Sequence, residues 1–148
     1  MHGLQVSRKV DYGLRAMVRL AKNPPGAVMS FRDVAACEGI PDDYLAKIMR
    51  NLVVAELVRS TRGPRGGYRL ARPPSDVSIL DVIEAVDGPI AINECLERDG
   101  NCPKMDGCTL HNVFDRAQAA MLDVFRTTLL SDVLPAHATM PLGCDPLH

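Results

Sequence analysis

Several features that would identify common classes of protein are missing from this chain of 148 residues. No apolar run approaches the roughly 20 residues that a membrane-spanning helix needs, so no contact with a membrane is expected. The first residues lack the apolar core of a signal peptide, which predicts a cytoplasmic protein. No pairing of a nucleophile with a base and no phosphate-binding loop stands out, so the chain is not expected to be an enzyme.

Net charge is also close to zero, at −1, but the two halves of the chain differ in sign. Residues 1–72 carry 13 Lys and Arg against 6 Asp and Glu, whereas residues 73–148 carry 4 against 12. A basic half joined to an acidic half predicts that the first half meets a polyanion such as a nucleic acid. Chance clustering of surface charge is the alternative, and the motifs decide between the two.

Apolar spacing in the basic half predicts a short strand followed by three helices, at about 4–6, 8–22, 31–38 and 41–54. Gly39-Ile40 makes a tight turn before the third helix, and Pro41 fits its first helical position. This helix buries one face and exposes a polar one, which carries Tyr44, Lys47 and Arg50. Two helices joined by a tight turn, the second with a polar outer face, are typical of a helix-turn-helix, whose second helix enters the major groove of DNA.

A basic hairpin is predicted directly after the third helix, with strands at about 57–61 and 68–71. Glycines and a proline make its tip thin, and Arg62 and Arg65 project from it. Arginine is favoured in the negative potential of a narrow minor groove. A solvated hairpin whose arginines contact nothing is the alternative. Following a helix-turn-helix, this hairpin predicts a winged helix-turn-helix DNA-binding domain over residues 1–72.

The second half predicts a connecting segment, a loop and a long helix. Pro73-Pro74 marks the boundary, and the connecting segment 73–93 holds one short helix capped by Ser78. Apolar residues then recur every three or four positions from about 110 to 130, with a last turn reaching 134. A winged helix has little surface left to cover such a stripe, so we interpret 110–134 as a dimerisation helix. A helix packed against its own domain is the alternative. The fold is therefore expected to be mainly α-helical with a small β wing, and the tail 135–148 to be loosely ordered.

Between these helices, residues 94–111 hold three cysteines and a histidine: Cys95, Cys102, Cys108 and His111. This segment is rich in Gly, Asp and Asn and has no apolar periodicity, so something other than a core must order it. Zinc motifs usually bring their ligands as close pairs, and here only Cys108 and His111 are that close. Separate thiolates on a loop, with a histidine at the start of a helix, favour an iron–sulfur cluster. Zinc and a metal-free thiol or disulfide switch are the alternatives.

Three cysteines still need a fourth group, and His111 is the candidate within the segment; a capping or surface histidine is the alternative. Cys37 lies on the apolar side of a short predicted helix and is expected to be a core residue. Cys144 lies in the tail and is expected to be an unpaired thiol.

Taken in order, the motifs resemble the Rrf-two family of bacterial winged-helix regulators. The resemblance is carried by Asp11-Tyr-Gly-Leu-Arg-Ala, by Arg62-Gly-Pro-Arg-Gly-Gly-Tyr, by residues 76–87 and by the three cysteines. It implies a homodimer in which the third helix, including Tyr44, reads the major groove and the wing arginine, Arg62, enters the minor groove. It also implies that Cys95, Cys102 and Cys108 are cluster ligands, held on the loop before the dimerisation helix.

The fourth ligand is the point at which two iron–sulfur branches of the family differ. His111 resembles the IscR branch, whose [2Fe–2S] cluster is held by three cysteines and one histidine. Asp11 resembles the NsrR branch, in which an aspartate from the partner subunit can ligate a [4Fe–4S] cluster. His111 is favoured here, although one extra residue separates Cys95 from Cys102 relative to the IscR spacing.

These observations predict a transcriptional regulator, expected to be a repressor, that binds a palindromic operator as a homodimer. Its DNA affinity is expected to depend on a cluster that senses iron–sulfur status, redox poise or nitric oxide. We expect cluster assembly to order residues 94–110 and to set the angle between the dimerisation helix and the winged helix. A small redox or metal-binding protein that does not bind DNA is the alternative from another class.

Overall fold

The computed structural model describes residues 4–100 and 102–135. Its five helices are α1 (Arg8–Ala21), α2 (Phe31–Glu38), α3 (Asp42–Val54), α4 (Ile79–Asp87) and α5 (His111–Thr127). Its strands are β1 (Val58–Thr61) and β2 (Gly67–Leu70), and short 3-10 helices cover Pro74–Asp76, Glu94–Leu96 and Leu130–Val133. No helix among the described residues is long and apolar enough to cross a membrane. The predicted loose tail, with Cys144, lies outside them apart from its first residue.

Serines begin three of the helices, as their positions in the sequence predict. Ser7, Ser30 and Ser78 precede α1, α2 and α4, and each hydroxyl accepts a hydrogen bond from the backbone N–H three residues later, at 3.2, 3.1 and 3.0 Å. Each bond satisfies one of the amides that a helix start leaves without a partner. The placement of Pro41 was wrong by one residue: it is the residue before α3 rather than its first helical residue, because its backbone is extended.

The core lies where α1, α2, α3 and α4 meet, and it includes the apolar stripes that the sequence predicts. Its fully buried side chains include Met17, Val34, Leu45, Ile48, Leu52 and Val82. At Gly13 a Cβ atom would lie 2.7 Å from Val86 Cγ2, so α1 approaches α4 closely because residue 13 has no side chain. Asn51 Nδ2 donates a hydrogen bond to the Val86 carbonyl at 3.3 Å. The end of α4 therefore contacts both α1 and α3.

A buried ion pair joins α1 to α2. Arg19 Nε lies 2.6 Å from Glu38 Oε1, and the two side chains are only 3% and 10% exposed. A charge at this depth is stable only when it is paired and hydrogen-bonded. Cys37, the neighbour of Glu38, is buried, which confirms its prediction as a core residue.

The wing is an antiparallel pair, β1 and β2, with Val58 opposite Leu70. It is fixed to the helical core through the loop before α2, where the backbones of Met29 and Tyr68 exchange two hydrogen bonds of 2.9 and 2.7 Å. A Cβ atom at Gly67 would overlap the Met29 carbonyl, so this close approach requires glycine. The wing therefore cannot swing freely relative to α2.

The long helix α5 has two apolar stripes that differ in exposure. An inner stripe is half-buried against its own chain and consists of Phe114, Gln118, Met121 and Phe125. An outer stripe is exposed and consists of Val113, Ala117, Ala120 and Val124. One face of α5 therefore packs on its own domain, as the alternative interpretation expects, and the described residues leave the other face uncovered. Dimerisation through that uncovered face stays a prediction.

The C-terminal end of α5 is anchored to the start of α4. The predicted helix to about residue 130 was too long, because Thr128 is extended and its carbonyl accepts a hydrogen bond from the Ile79 amide at 2.9 Å. The Leu130 amide donates to the Val77 carbonyl at 2.7 Å, and the Leu130 side chain is fully buried. The chain beyond α5 thus enters the core instead of continuing as a helix.

The predicted strand at residues 4–6 was wrong. No strand is formed there, and Leu4 and Val6 are 85% and 57% exposed. Alternation over three residues forms a strand only where another strand offers hydrogen bonds, and none of the described residues does so here.

Candidate nucleic-acid interface and cysteine segment

The helix α3 is held by its buried face and exposes its polar one. Tyr44, Lys47 and Arg50 are all exposed, as predicted, while the opposite face lies in the core. Gly39 ends α2 in the left-handed conformation, with φ of 62°, and so allows the sharp turn into α3. The ring of Tyr44 meets the ring of Tyr12 edge-on, with centroids 5.7 Å apart, which restricts where the Tyr44 hydroxyl can point.

The tip of the wing carries the two predicted arginines. Arg62 and Arg65 are exposed, and a hydrogen bond of 2.9 Å from the Gly66 amide to the Gly63 carbonyl closes the turn between them. Neither these arginines nor Lys47 and Arg50 form an ion pair with another described residue. A thin basic tip and a basic helix face are therefore both available to a polyanion such as DNA.

The cysteine segment and the two residues before it divide into an inner arm, residues 92–100, and an outer arm, residues 102–108, which is followed by the start of α5 at His111. Cys95 lies on the inner arm in the 3-10 helix Glu94–Leu96 and is buried, at 9% exposure. Cys102 and Cys108 lie on the outer arm, half-buried and exposed respectively. All three thiols are free. The segment thus offers one thiol held inside the fold and two at or near the surface.

The outer arm is built from consecutive turns. The Met105 amide donates to the Cys102 carbonyl at 3.2 Å, and the Cys108 amide donates to the Met105 carbonyl at 3.4 Å. The side chains between Cys102 and Cys108 are exposed. Few contacts therefore oppose a movement of this arm.

The four predicted ligands do not form a preassembled metal site. Within residues 4–100 and 102–135, no three His, Cys, Asp or Glu side chains come close enough together to hold a metal ion. The chemistry of the donor set nevertheless fits an iron–sulfur cluster, because thiolates and an imidazole are its usual protein ligands. His111 is the first residue of α5, and its Nδ1 is buried without a hydrogen-bond partner among the described atoms. A buried ring nitrogen left in this way is costly unless another group satisfies it.

Asp11, the alternative fourth ligand, lies on the exposed side of α1. Its carboxylate accepts a hydrogen bond from Arg15 Nε, one turn later, at 3.0 Å. Exposed pairs of this kind contribute little to stability and are easily exchanged for another partner.

One contact of the cysteine segment was missed by reasoning from the sequence. Gln118 Oε1, on the inner stripe of α5, accepts a hydrogen bond from the Ile92 amide at 3.0 Å. A glutamine within an otherwise apolar stripe is the signal that could have revealed it, because such a side chain needs a polar partner when it is withdrawn from water.

Comparison with known proteins gives one family and close structural relatives. The family model described as Rrf2, iron-dependent transcriptional regulator, matches residues 6–136. A putative HTH-type transcriptional regulator of Mycobacterium tuberculosis is 41% identical over 139 residues, covering 90% of this chain and 86% of its own.

Two solved structures are similar over most of their length. IscR of T. potens matches with a TM-score of 0.72 and 31% identity, covering 88% of this chain and 85% of its own. CymR, the global cysteine regulator of B. subtilis, matches with a TM-score of 0.71 and 31% identity, covering 88% and 96%. The range matched by the family model, residues 6–136, includes the cysteine segment and α5 as well as the winged helix.

Proposed function

This chain belongs to the Rrf2 family of transcriptional regulators, and we propose that its affinity for operator DNA depends on an iron–sulfur cluster. In this proposal it acts in the cytoplasm as a homodimeric repressor and senses iron–sulfur status, redox poise or nitric oxide. The observation that carries the proposal is the Nδ1 of His111, which is buried without a hydrogen-bond partner among the described residues and lies in the same stretch of chain as three free thiols. Its expected role as a regulator rather than an enzyme follows from the family.

The proposed DNA contacts are divided between α3 and the wing. Tyr44, Lys47 and Arg50 face the major groove, and Arg62 and Arg65 enter the adjacent minor groove. The absence of ion pairs at these cations among the described residues supports this assignment, since no internal partner has to be displaced. The two DNA-binding domains of a homodimer require half-sites that lie about one turn of the DNA helix apart, or a multiple of one turn. This requirement predicts a palindromic operator.

The outer stripe of α5 is the proposed dimer contact. Val113 and Val124 are 55% and 60% exposed in the monomer, and the two alanines of the stripe, Ala117 and Ala120, lie between them. Small residues allow a second helix to approach closely, and the valines supply apolar area to bury. The α5 helix of a second copy would cover this stripe.

The proposed cluster ligands are Cys95, Cys102, Cys108 and His111, a set that favours [2Fe–2S]. A bound cluster would supply a cross-link between the loop and α5 that responds to iron and to oxidation. Because the four side chains are not gathered in the monomer, the outer arm has to fold toward Cys95 and His111 before all four can bind. Ordering of residues 94–110 is therefore coupled to ligand binding.

The anchor at Leu130 limits how this ordering reaches the DNA. The C-terminal end of α5 is bonded to the start of α4, so any reorientation is concentrated at the His111 end. The other end of α4 contacts α3 through Asn51 and α1 at Gly13. We accordingly propose that the dimerisation helix pivots about its anchored end and that α4 transmits the change to α3.

A [4Fe–4S] cluster completed by Asp11 of a second subunit is the alternative and would make the protein a nitric oxide sensor. This alternative is favoured by the exposure of Asp11, whose one side-chain partner among the described residues is the exposed Arg15. His111 is preferred because its Nδ1 is buried and has no hydrogen-bond partner among the described residues.

The deciding experiment compares anaerobically purified wild type with His111→Ala and Asp11→Ala by Mössbauer and resonance Raman spectroscopy, alongside operator binding at fixed moderate salt. We expect His111→Ala to change the cluster spectrum and the cluster dependence of binding, and Asp11→Ala to change neither. The reverse pattern would support the [4Fe–4S] alternative. If the anaerobically purified wild type is colourless, a cluster is excluded and zinc is favoured. If the wild type does not bind DNA at all, a small redox protein is favoured.

A further inference from the structure

The hydrogen bond between Gln118 and Ile92 connects α5 to the inner arm. Gln118 is half-buried among apolar neighbours, and its Oε1 lies 3.0 Å from the Ile92 nitrogen. Among the described residues, no other side chain of α5 hydrogen-bonds to residues 88–110. A peptide N–H withdrawn from water needs such an acceptor, so replacing the acceptor has a specific cost.

The inner arm continues from Ile92 as a chain of short turns. The Asn93 carbonyl accepts from the Leu96 amide at 2.9 Å, and the Glu94 carbonyl accepts from the Glu97 amide at 3.1 Å. Cys95 lies inside these turns and is buried. Because the turns are local and consecutive, fixing the Ile92 amide also restricts where Cys95 can stand.

The spacing along α5 relates this contact to the proposed ligands. Gln118 and His111 are seven residues apart, so they share one face of the helix and are separated by about 10 Å along its axis. The three residues from Ile92 to Cys95 can span at most about 10 Å. The Ile92 bond therefore limits how far Cys95 can move away from the face of α5 that carries His111.

We propose that Gln118 is a positioning residue, which holds the inner arm against α5 and so sets the place of the Cys95 thiol relative to His111. The proposal rests on the proposed function, since it concerns ligands of the same site. The two arms then have different roles. The inner arm holds the Cys95 thiol in a fixed position, and the outer arm brings Cys102 and Cys108 toward it.

Two substitutions separate the hydrogen bond from the bulk of the side chain. Gln118→Met keeps the length and helix propensity of the side chain but has no oxygen to accept from Ile92. Gln118→Glu keeps an acceptor oxygen in the same place. Arg116→Met, on the exposed side of α5, is the matched control for a methionine in this helix.

The first measurement uses the full-length, reduced, metal-free protein and the rates at which maleimide alkylates each thiol, resolved by peptide mass spectrometry. In wild type we expect Cys95 to react at least about tenfold more slowly than Cys108, because burial limits access. Gln118→Met should raise the Cys95 rate severalfold and leave Cys102 and Cys108 unchanged, while Gln118→Glu and Arg116→Met should match wild type. An unchanged Cys95 rate, or an equal rise at all three thiols, would overturn the proposal.

The second measurement follows visible absorbance after reconstitution with ferrous iron and sulfide, and then its loss to a chelator. Gln118→Met should lose absorbance severalfold faster than wild type, with rescue in Gln118→Glu; equal rates in Gln118→Met and wild type would count against the positioning role. Wild type that takes up no cluster would overturn the proposed function instead, and the alkylation rates would then still decide whether Gln118 holds Cys95.

Discussion

The DNA-reading half and the cysteine segment hold their functional side chains in different ways. Each exposed side chain of α3 stands on a helix whose other face is buried, by Leu45, Ile48 and Leu52 for example. Cys102 and Cys108 instead stand on turns closed by bonds between neighbouring residues, with exposed side chains around them. The first region is therefore ready to bind before its ligand arrives, and the second is not.

This difference makes opposite demands on the two partners. DNA meets a surface whose shape is already set, so little ordering cost has to be offset on binding. In the proposed function, a cluster would have to order residues 94–110 as it binds, and that cost would reduce its apparent affinity. A sensor gains from this arrangement, because the loaded and unloaded segments differ in conformation and the difference can be transmitted. The predictions below test the comparison from its largest expected effect to its smallest.

The largest contrast is expected in stability. Glu38→Ala removes the carboxylate that faces the buried guanidinium of Arg19, and it should lower the free energy of unfolding by about 3–5 kcal/mol. Cys102→Ala should change the free energy of unfolding of the metal-free protein by less than about 0.5 kcal/mol, because few contacts depend on that side chain. Urea denaturation of the reduced, metal-free proteins measures both.

Arg32→Ala, at an exposed position of the same helix α2, is the control for Glu38→Ala. A loss below about 1 kcal/mol in Glu38→Ala would mean that the ion pair is not a fixed part of the core. A large loss in Cys102→Ala would contradict the comparison itself, since the outer arm would then belong to the cooperative fold. The same Cys102→Ala protein should remain colourless after reconstitution with iron and sulfide.

The same difference explains what could be predicted from the sequence. Helices α1 to α4 were placed within about a residue because local signals define them: serine caps such as Ser30, the turn at Gly39 and apolar stripes one helical period apart. The residues of α3 that would face DNA follow directly from those stripes. For the cysteine segment the sequence supplied only the donor chemistry, because no core is present to dictate a geometry.

Apart from the one-residue error at Pro41, the features that were missed depend on partners distant in the chain. The end of α5 was placed too late because the bond from Leu130 to Val77 joins residues that no local pattern relates. The contact of Gln118 with Ile92 is of the same kind. The strand expected at 4–6 failed for the converse reason, since its alternation had no partner strand among the described residues.

A smaller effect, on operator affinity, is expected from substitutions in the surface formed by α3 and the wing. Arg62→Ala should weaken operator binding roughly 10- to 100-fold, or about 1–3 kcal/mol. The slope of log affinity against log salt concentration should also become shallower by about 1, which corresponds to one lost phosphate contact. The reason is that the arginine at the thin wing tip loses both its charge and its insertion into the minor groove. Fluorescence anisotropy titrations at several salt concentrations measure the affinity and the slope.

Arg126→Ala, an exposed arginine in the last turn of α5, is the matched control and should leave operator affinity within twofold of wild type. Equal losses in the two variants would indicate a general effect of charge rather than a contact made by the wing. Unchanged affinity in Arg62→Ala would exclude the wing from the interface and leave α3 as the reader.

The smallest effect is expected at the junction of α3 and the wing, where Glu56 adopts the left-handed conformation with φ of 60°. The amides of Glu56 and Leu57 donate to the carbonyls of Val53 and Leu52, each at 3.0 Å, which is the bonding pattern that usually ends a helix at glycine. A glutamate is strained here, and the buried neighbours Leu52 and Leu57 hold it in place.

Glu56→Gly should therefore raise the free energy of unfolding by about 0.5–1 kcal/mol, because glycine adopts this conformation without a steric penalty. The control is Glu97→Gly in the inner arm, where φ is −68° and glycine should give no gain. Urea denaturation of metal-free protein measures both, and operator affinity of Glu56→Gly should match wild type. A gain at residue 97 as large as that at residue 56 would show that the loss of a negative charge, not backbone strain, is responsible. A loss of stability in Glu56→Gly would show that the strain at residue 56 is smaller than the conformational freedom that glycine adds to the unfolded chain.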